Sequence, residues 1–391
     1  MTKIKILFFV CIAMISCTQQ KPIQFEVSNG LDFERNEIVS IPIEDLKGIM
    51  KNDMQYLHVQ DIESKKYQRT QRMDSDGNGE IDTFLFQVKV PANGKANYLL
   101  LVDSTLTEPK SDVVAYSRFV PERTDDYTWE NDKVAFRTYG PTGEKEALAG
   151  VAGSTLSSGI DLWLKRTEKT IINKWYAGHV KNPGYYHEDH GEGYDPYHVG
   201  GSRGTGGIGV WANDSLYVSN NFIAYKIIAD GPLRTVFELS YAPWSPYNIQ
   251  ETKRISLDLG SNFSKYEIML SANDSIPNYT VGISLHENKG DYHIEKKKGW
   301  SRHWEAIDDS YVGEGVVMDP KVIDSAFARI SNVPDQGNIL IVTKPRDTLT
   351  YYAGFAWKKS GQVDTVDDWE DLLRKQAKII KNPLIVALIS E

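Results

Sequence analysis

The residues best suited to chemistry fall in one run, Tyr185-Tyr186-His187-Glu188-Asp189-His190-Gly191-Glu192-Gly193-Tyr194. Two imidazoles beside three carboxylates can move protons, because histidine titrates near neutrality and a carboxylate can fix its tautomer. A metal site and a purely structural polar loop are the other two readings. His187 and His190 are three apart, not in the His-Glu-x-x-His order of zinc peptidases, so acid–base work is preferred. Tyr197, just behind, is a further candidate for proton transfer. The run belongs to a longer stretch, Asn173 to Gly209, that breaks the strand rhythm of its surroundings. It holds ten of the thirty glycines, and its only branched aliphatics are Val180, Val199 and Ile208, so it cannot bury a core of its own. Trp175, Tyr176, Tyr185, Tyr186, Tyr194 and Tyr197 argue against disorder. The expectation is an ordered loop lining a cleft, and its glycines argue against a helix.

Cations nearby could meet an anionic substrate. Lys174 and Arg203 flank the histidines, and the arginine fork suits a carboxylate. Trp175, Tyr176 and Glu192 are assigned with them to substrate binding. A second aromatic–basic stretch, Trp300-Ser301-Arg302-His303-Trp304, offers tryptophan faces for sugars, with Arg302 and His303 reaching polar groups. Its alternative is a core tryptophan pair with a solvated arginine. His286, alone at the end of a strand, reads as structural, and Lys296-Lys297-Lys298 as a solvated turn. In Asp74-Ser75-Asp76-Gly77-Asn78-Gly79-Glu80-Ile81-Asp82, oxygen side chains recur at alternate positions. Asp74, Asp76, Asn78 and Asp82 could hold a structural calcium ion, but the closing glutamate of an EF-hand would fall at Leu85, and an Asp/Asn/Gly hairpin turn explains the same residues.

Strands must position these groups. Phe84, Phe86, Val88 and Val90 recur with a period of two, and Arg254–Leu259 and Lys265–Leu270 alternate likewise. Further strands are expected at Ile38–Ile43, Tyr98–Val102, Val134–Tyr139, Val281–Leu285, Ile339–Val342 and Tyr351–Trp357. Residues 23–105 make a small β-sandwich, Ser104 to Asp112 a linker, and 113–391 a large antiparallel sandwich. One helix is expected near the end. Thr365 or Asp367 caps it, Asp367, Asp368, Glu370 and Asp371 favour its positive end, and Trp369, Leu372, Leu373, Gln376 and Ile380 share a face. Leu384 to Ile389 reads as a final strand.

The first residues place the chain in the cell. Lys3 and Lys5 precede the apolar run Ile6–Ile15, which is too short for a membrane span, and Met14-Ile15-Ser16-Cys17 fits a lipoprotein cleavage site. Residues 1–16 are thus expected to leave as a signal, Cys17 to carry lipid, and 17–22 to form a tether. The tether lacks an acidic run, which favours a periplasm-facing anchor in the outer membrane. Cys11 leaves with the signal, so the mature chain has neither a disulfide nor a thiolate metal site. Losing Lys3 and Lys5 takes the net charge from −9 to −11, which argues against nucleic acid as a partner.

Four segments together resemble a known family. They are Trp129–Pro141, Ser158–Trp163, Asn173-Lys174-Trp175-Tyr176 and Tyr186–Gly193. The resemblance is to a family of polysaccharide-utilisation loci with a described ulvan oligosaccharide dehydratase activity, and it covers nearly the whole mature chain. It implies a mainly all-β fold, with a galactose-mutarotase-like β-supersandwich behind the small sandwich. It also implies an anionic oligosaccharide substrate and a product that is a 4,5-unsaturated uronate. No residue roles come with it, so chemistry assigns them. Arg203, Lys174 or Arg302 would neutralise the carboxylate, His190 or Tyr197 would take the C5 proton, and His187 would protonate the leaving C4 hydroxyl. No cofactor is required. A polysaccharide lyase and a non-catalytic carbohydrate-binding lipoprotein are the alternatives.

Overall fold

The structure, a computed structural model, describes residues 22–46, 49–272 and 275–389. The expected signal and the expected lipidation position, Cys17, lie outside the described residues. No helix among those described is long and apolar enough to cross a membrane.

The fold is mainly β. In the small sandwich, Ile23–Ser28, Leu57–Asp61, Tyr67–Gln68 and Lys95–Val102 form one sheet, and Arg35–Pro42, Thr70–Met73 and Thr83–Val90 the other. The alternation at Phe84, Phe86, Val88 and Val90 buries all four against Phe25, Val27 and Tyr98. The final strand, Ile385–Ile389, does not join the large sandwich. It returns to pair antiparallel with Ile23–Ser28, with Val27 opposite Val386. The small sandwich is therefore built from both ends of the described chain, and the unit expected at 113–391 gives up its last strand.

The large sandwich has one layer of eight antiparallel strands, from Phe222–Asp230 at one edge to Asp291–Glu295 at the other. Two five-stranded sheets cover it. One runs from Tyr116–Val120 through Ala135–Thr138 and Asp161–Lys165 to Gly193–Tyr194, and the other includes Thr205–Ala212, Tyr279–Ser284 and Asn338–Thr343. A parallel bridge from Ile160 to Gly204 joins these two sheets edge to edge. Gly204 has φ +54°, and a Cβ there would collide with the Ile160 carbonyl, so glycine is what permits the seam. The shared core holds Trp129, Phe136, Phe237, Ile255, Tyr266, Val281 and Ile341.

Among the described residues three α-helices decorate this frame: α1 (Pro141–Leu148), α2 (Ile172–Lys181) and α3 (Val366–Lys381). In α3 the Thr365 hydroxyl accepts from the Asp368 N–H, and the Asp368 carboxylate accepts from the Thr365 N–H, a reciprocal cap. Trp369, Leu373 and Ala377 face inward, and the Trp369 indole donates to the Glu314 carbonyl at 3.1 Å. A Thr365→Ala chain should lose about 1 kcal/mol of stability. Urea denaturation checks this, and a midpoint equal to that of the parent would show the cap to be idle.

A cleft of about 560 Å³ lies between the small sandwich, the eight-stranded sheet and α3. Its charges already face one another, in the pairs Arg35–Glu37, Arg234–Asp258 and Lys265–Glu267. It is a seam between the two sandwiches, and none of its lining residues belongs to the histidine run.

Candidate functional site

The stretch expected to be a helix-free loop begins with α2. Ile172, Trp175 and Tyr176 are buried at helical spacing, and they pack with Trp163 and Tyr186 in an aromatic cluster. No local side chain caps α2. Instead the Glu130 carboxylate, from a strand 41 residues earlier, accepts from the Ile171 N–H at 2.9 Å and the Ile172 N–H at 3.0 Å. Lys165, fully buried, holds the same carboxylate at 2.8 Å. Trp175 and Tyr176 are thus core residues, not exposed sugar platforms.

Beneath this cluster lies a buried ionic centre. Arg137 sits directly opposite Asp161 on the neighbouring strand. Its Nε donates to Asp161 at 2.7 Å and its Nη2 to Asp195 at 2.9 Å, while Asp126 lies 4.0 Å from Nη1. The guanidinium also lies 5.3 to 5.4 Å from the ring centres of Tyr139, Trp163 and Tyr186. Burial disfavours charge on all of these groups. It pushes the Asp126 carboxyl up to about 6 and that of Asp195 well above the usual range. Arg137 stays charged because the Asp161 and Asp195 carboxylates outweigh its burial.

From Gly193 to Val199 the side chains alternate between inside and outside, so Asp195 and Tyr197 both point inward. His187 lies over the first of them. Its Nδ1 is 2.8 Å from the Asp195 carbonyl oxygen, its side chain is 52% exposed, and burial of the rest lowers its pKa. A carbonyl can only accept, so Nδ1 carries the hydrogen and Nε2 keeps its lone pair. His190 has a different environment. It is exposed, its ring stacks on Tyr185 at 3.9 Å, and its Nε2 is bound to the Tyr185 carbonyl at 3.0 Å. The two histidines share a short loop but not a set of partners.

Tyr197 leads to a second polar centre, between the layers of the large sandwich. Its hydroxyl donates to Glu314 at 2.6 Å, and Thr205 donates to the same oxygen at 2.5 Å. Around Glu314 stand His303, His286 and Glu305. One ligand-type atom from each of these four residues lies within 4.8 Å of all the others. His303 and Glu314 are fully buried, and the side chains of His286 and Glu305 are only 12% and 11% exposed. Burial opposes charge on His286, but Glu305 at 2.6 Å more than offsets it, and the pKa rises to about 9.

The remaining expected residues are dispersed. Lys174 and Glu192 form an exposed pair at 2.7 Å. Arg203 is enclosed between the sheets, where it donates to the Ser158 hydroxyl at 2.9 Å, and burial lowers its pKa to about 10. Arg302 is buried and paired with Asp291 at 2.7 Å and Glu370 at 2.9 Å, so it is neither solvated nor free for a substrate. Trp304 stacks on Tyr311, while Trp300 is buried beside α3. Asp74, Asp76 and Asp82 converge, as a calcium loop would require. The same oxygens also serve the turn itself: Asp74 accepts from Gly77, Asn78 and Gly79, Asn78 donates to Asp76, and Asp82 accepts from Ser75.

Arg137, Asp161, Asp195, Glu305 and Glu314 were not picked out from the sequence, and His286 was read as lone. One signal was available. On the strand Trp300–Ile307, alternation puts His303 and Glu305 on one face and Arg302 on the other. The pairing of His303 with Glu314 across strands had no local trace.

The chain belongs to the family described as "Domain of unknown function (DUF4861)", which matches residues 27–386. A relative from Formosa agariphila, "Uncharacterized protein P7", is 40% identical over 397 residues, covering 99% of this chain and all of the relative. Among solved structures, the chain is similar to a glycosyl hydrolase family 38 protein from Enterococcus faecalis (TM-score 0.48, 10% identity). It is also similar to an alpha-mannosidase from the same organism (TM-score 0.44, 8% identity). Each likeness covers 94% of this chain, which spans about half the length of those proteins, 47% and 46%.

Proposed function

We propose that this chain is a carbon–oxygen lyase that removes water from the non-reducing-end uronic acid of an ulvan-type oligosaccharide. The observation that carries the proposal is His187, a half-open imidazole held neutral by burial and tautomer-locked by the Asp195 carbonyl. Such a nitrogen is a general base at neutral pH. It takes the C5 proton, made acidic by the adjacent carboxylate. The C4–O bond then breaks, the double bond forms between C4 and C5, and the hydroxyl leaves as water with a proton from His190. The roles of the two histidines are therefore the reverse of those first assigned. Tyr197, buried with its hydroxyl committed to Glu314, positions the loop and does not meet the sugar. Of the three cations considered, Lys174 is the exposed one, and exchanging Glu192 for the substrate carboxylate would supply the countercharge. The likeness of the histidine run to the dehydratase family supports the reaction class but none of these residue roles. The proposal includes a lipid anchor at Cys17, in the outer membrane and facing the periplasm. The reaction uses no cofactor, and calcium on the Asp74–Asp82 turn would only brace the small sandwich.

The test is incubation with a saturated, uronate-capped oligosaccharide. Loss of the mass of one water, new ultraviolet absorbance and an uncut chain are expected. Cleavage of the chain would instead make this a polysaccharide lyase. Binding with no change in mass would make it a carbohydrate-binding lipoprotein.

A further inference from the structure

We infer that His286, His303, Glu305 and Glu314 bind one divalent transition-metal ion, zinc in class, as a closed structural site. Donor chemistry is the first reason. Two imidazole nitrogens and two carboxylate oxygens, one atom from each residue and all within 4.8 Å of one another, match a four-coordinate shell. Unmet valence is the second. Both ring nitrogens of His303, His286 Nδ1, Glu305 Oε1 and Glu314 Oε1 are buried without a well-formed hydrogen bond, and the one close contact among them is His286 Nδ1 to Glu305 Oε1 at 2.6 Å. Buried polar atoms are normally satisfied, and a cluster of under-satisfied donors and acceptors facing one point calls for a shared partner.

Surrounding groups orient two of the donors by hydrogen bonds, as they do around bound metals. His286 Nε2 lies 2.8 Å from the His198 carbonyl, which fixes a hydrogen there and aims Nδ1 at the cluster, where the ion would take the place of the proton that Nδ1 shares with Glu305. Glu314 accepts from Tyr197 and Thr205 through Oε2 alone, which leaves Oε1 toward His303 at 3.5 Å. Gly290 packs directly on the His303 ring, where a Cβ would collide with Nε2, so the backbone there leaves room for the imidazole. With both histidines neutral the four side chains carry two negative charges, which one divalent ion balances. Four protein donors leave no open position, so the ion would be structural. It would tie the end of the strand Tyr279–Ser284 to the strands Trp300–Ile307 and Ser310–Val317. Through Glu314 and His198 it would also hold the segment carrying Tyr197. The site stands apart from the proposed dehydration, which routes no step through it.

Purified full-length protein should carry about one zinc per chain by elemental analysis after zinc loading and desalting. A chelator should lower Tm by roughly 5 °C or more, and added zinc should restore it. His286→Ala, at the cluster's edge, should keep the parent's circular dichroism and bind zinc at least about 10-fold more weakly. Absence of metal in the loaded parent together with a Tm indifferent to chelator would overturn the inference. Rescue by calcium but not by zinc would do the same, placing the ion at the Asp74–Asp82 turn instead. Both readouts are made without substrate, so a zinc-loaded chain that dehydrates nothing would sink only the catalytic proposal.

Discussion

Arg137→Met is expected to cost about 3–5 kcal/mol of stability, a large part of the roughly 5–15 kcal/mol that a folded domain has in total. The reason is what the guanidinium leaves behind. Asp161 and Asp195 are fully buried within 2.9 Å of it, and Asp126 is fully buried at 4.0 Å. Methionine fills much of the same space between Tyr139, Trp163 and Tyr186, so little of the loss would come from a cavity. The loss is chiefly uncompensated carboxylate charge, and it should shrink in acid, where the aspartates take up protons. The sign follows from linkage. Burial raises the Asp126 pKa above its unfolded value, so the native state binds the extra proton and stability falls as pH rises toward about 6. Without Arg137 that fall should be steeper. Chemical denaturation of parent and variant at pH 5 and pH 8 measures both effects. A variant with the parent's midpoint at pH 8 would show that the aspartates do not depend on this cation.

The strands were legible because burial of one face imposes a period of two, and Phe84 to Val90 and Arg254 to Leu259 carry it plainly. Helix α3 was legible because its cap, its charges and its apolar face are all local. Helix α2 was not, although Ile172, Trp175 and Tyr176 have helical spacing. Its start is capped by Glu130 from a distant strand, and the glycines around it pointed the other way. The site divides along the same line. His187 stood out because its loop lacks core residues. The partners that define it, Asp195 and Arg137, depend on strand pairing. Arg302 and Arg203 look like solvent-facing cations in the sequence, yet each is enclosed by residues far along the chain: Arg302 by Glu370, Arg203 by Ser158. Burial of a charge is decided by tertiary partners, and a window of neighbours does not contain them. The final strand failed for the same reason, since nothing in Ile385–Ile389 says which sheet edge it will meet.

His187→Ala should lower turnover of a uronate-capped oligosaccharide by roughly 10²-fold or more while leaving Tm close to the parent's. Stability should hold because the side chain is half exposed and makes one hydrogen bond, to a carbonyl that Asp195 supplies from its backbone. The pH profile separates a base from a mere prop. Burial lowers the His187 pKa below the usual histidine value, so the free nitrogen is present above that lowered pKa and is lost as pH falls through it. The parent's acid limb in kcat/KM should therefore lie below pH of about 6.5, and the residual activity of the variant should lack that limb. Loss of His190 should instead weaken departure of the hydroxyl, so a substrate with a better leaving group at C4 would recover much of the rate. The same substrate should not rescue His187→Ala, since proton abstraction comes first. Turnover of His187→Ala within about 3-fold of the parent, with the acid limb intact, would remove this imidazole from the chemistry, because general acid–base groups contribute roughly 10²–10⁴-fold.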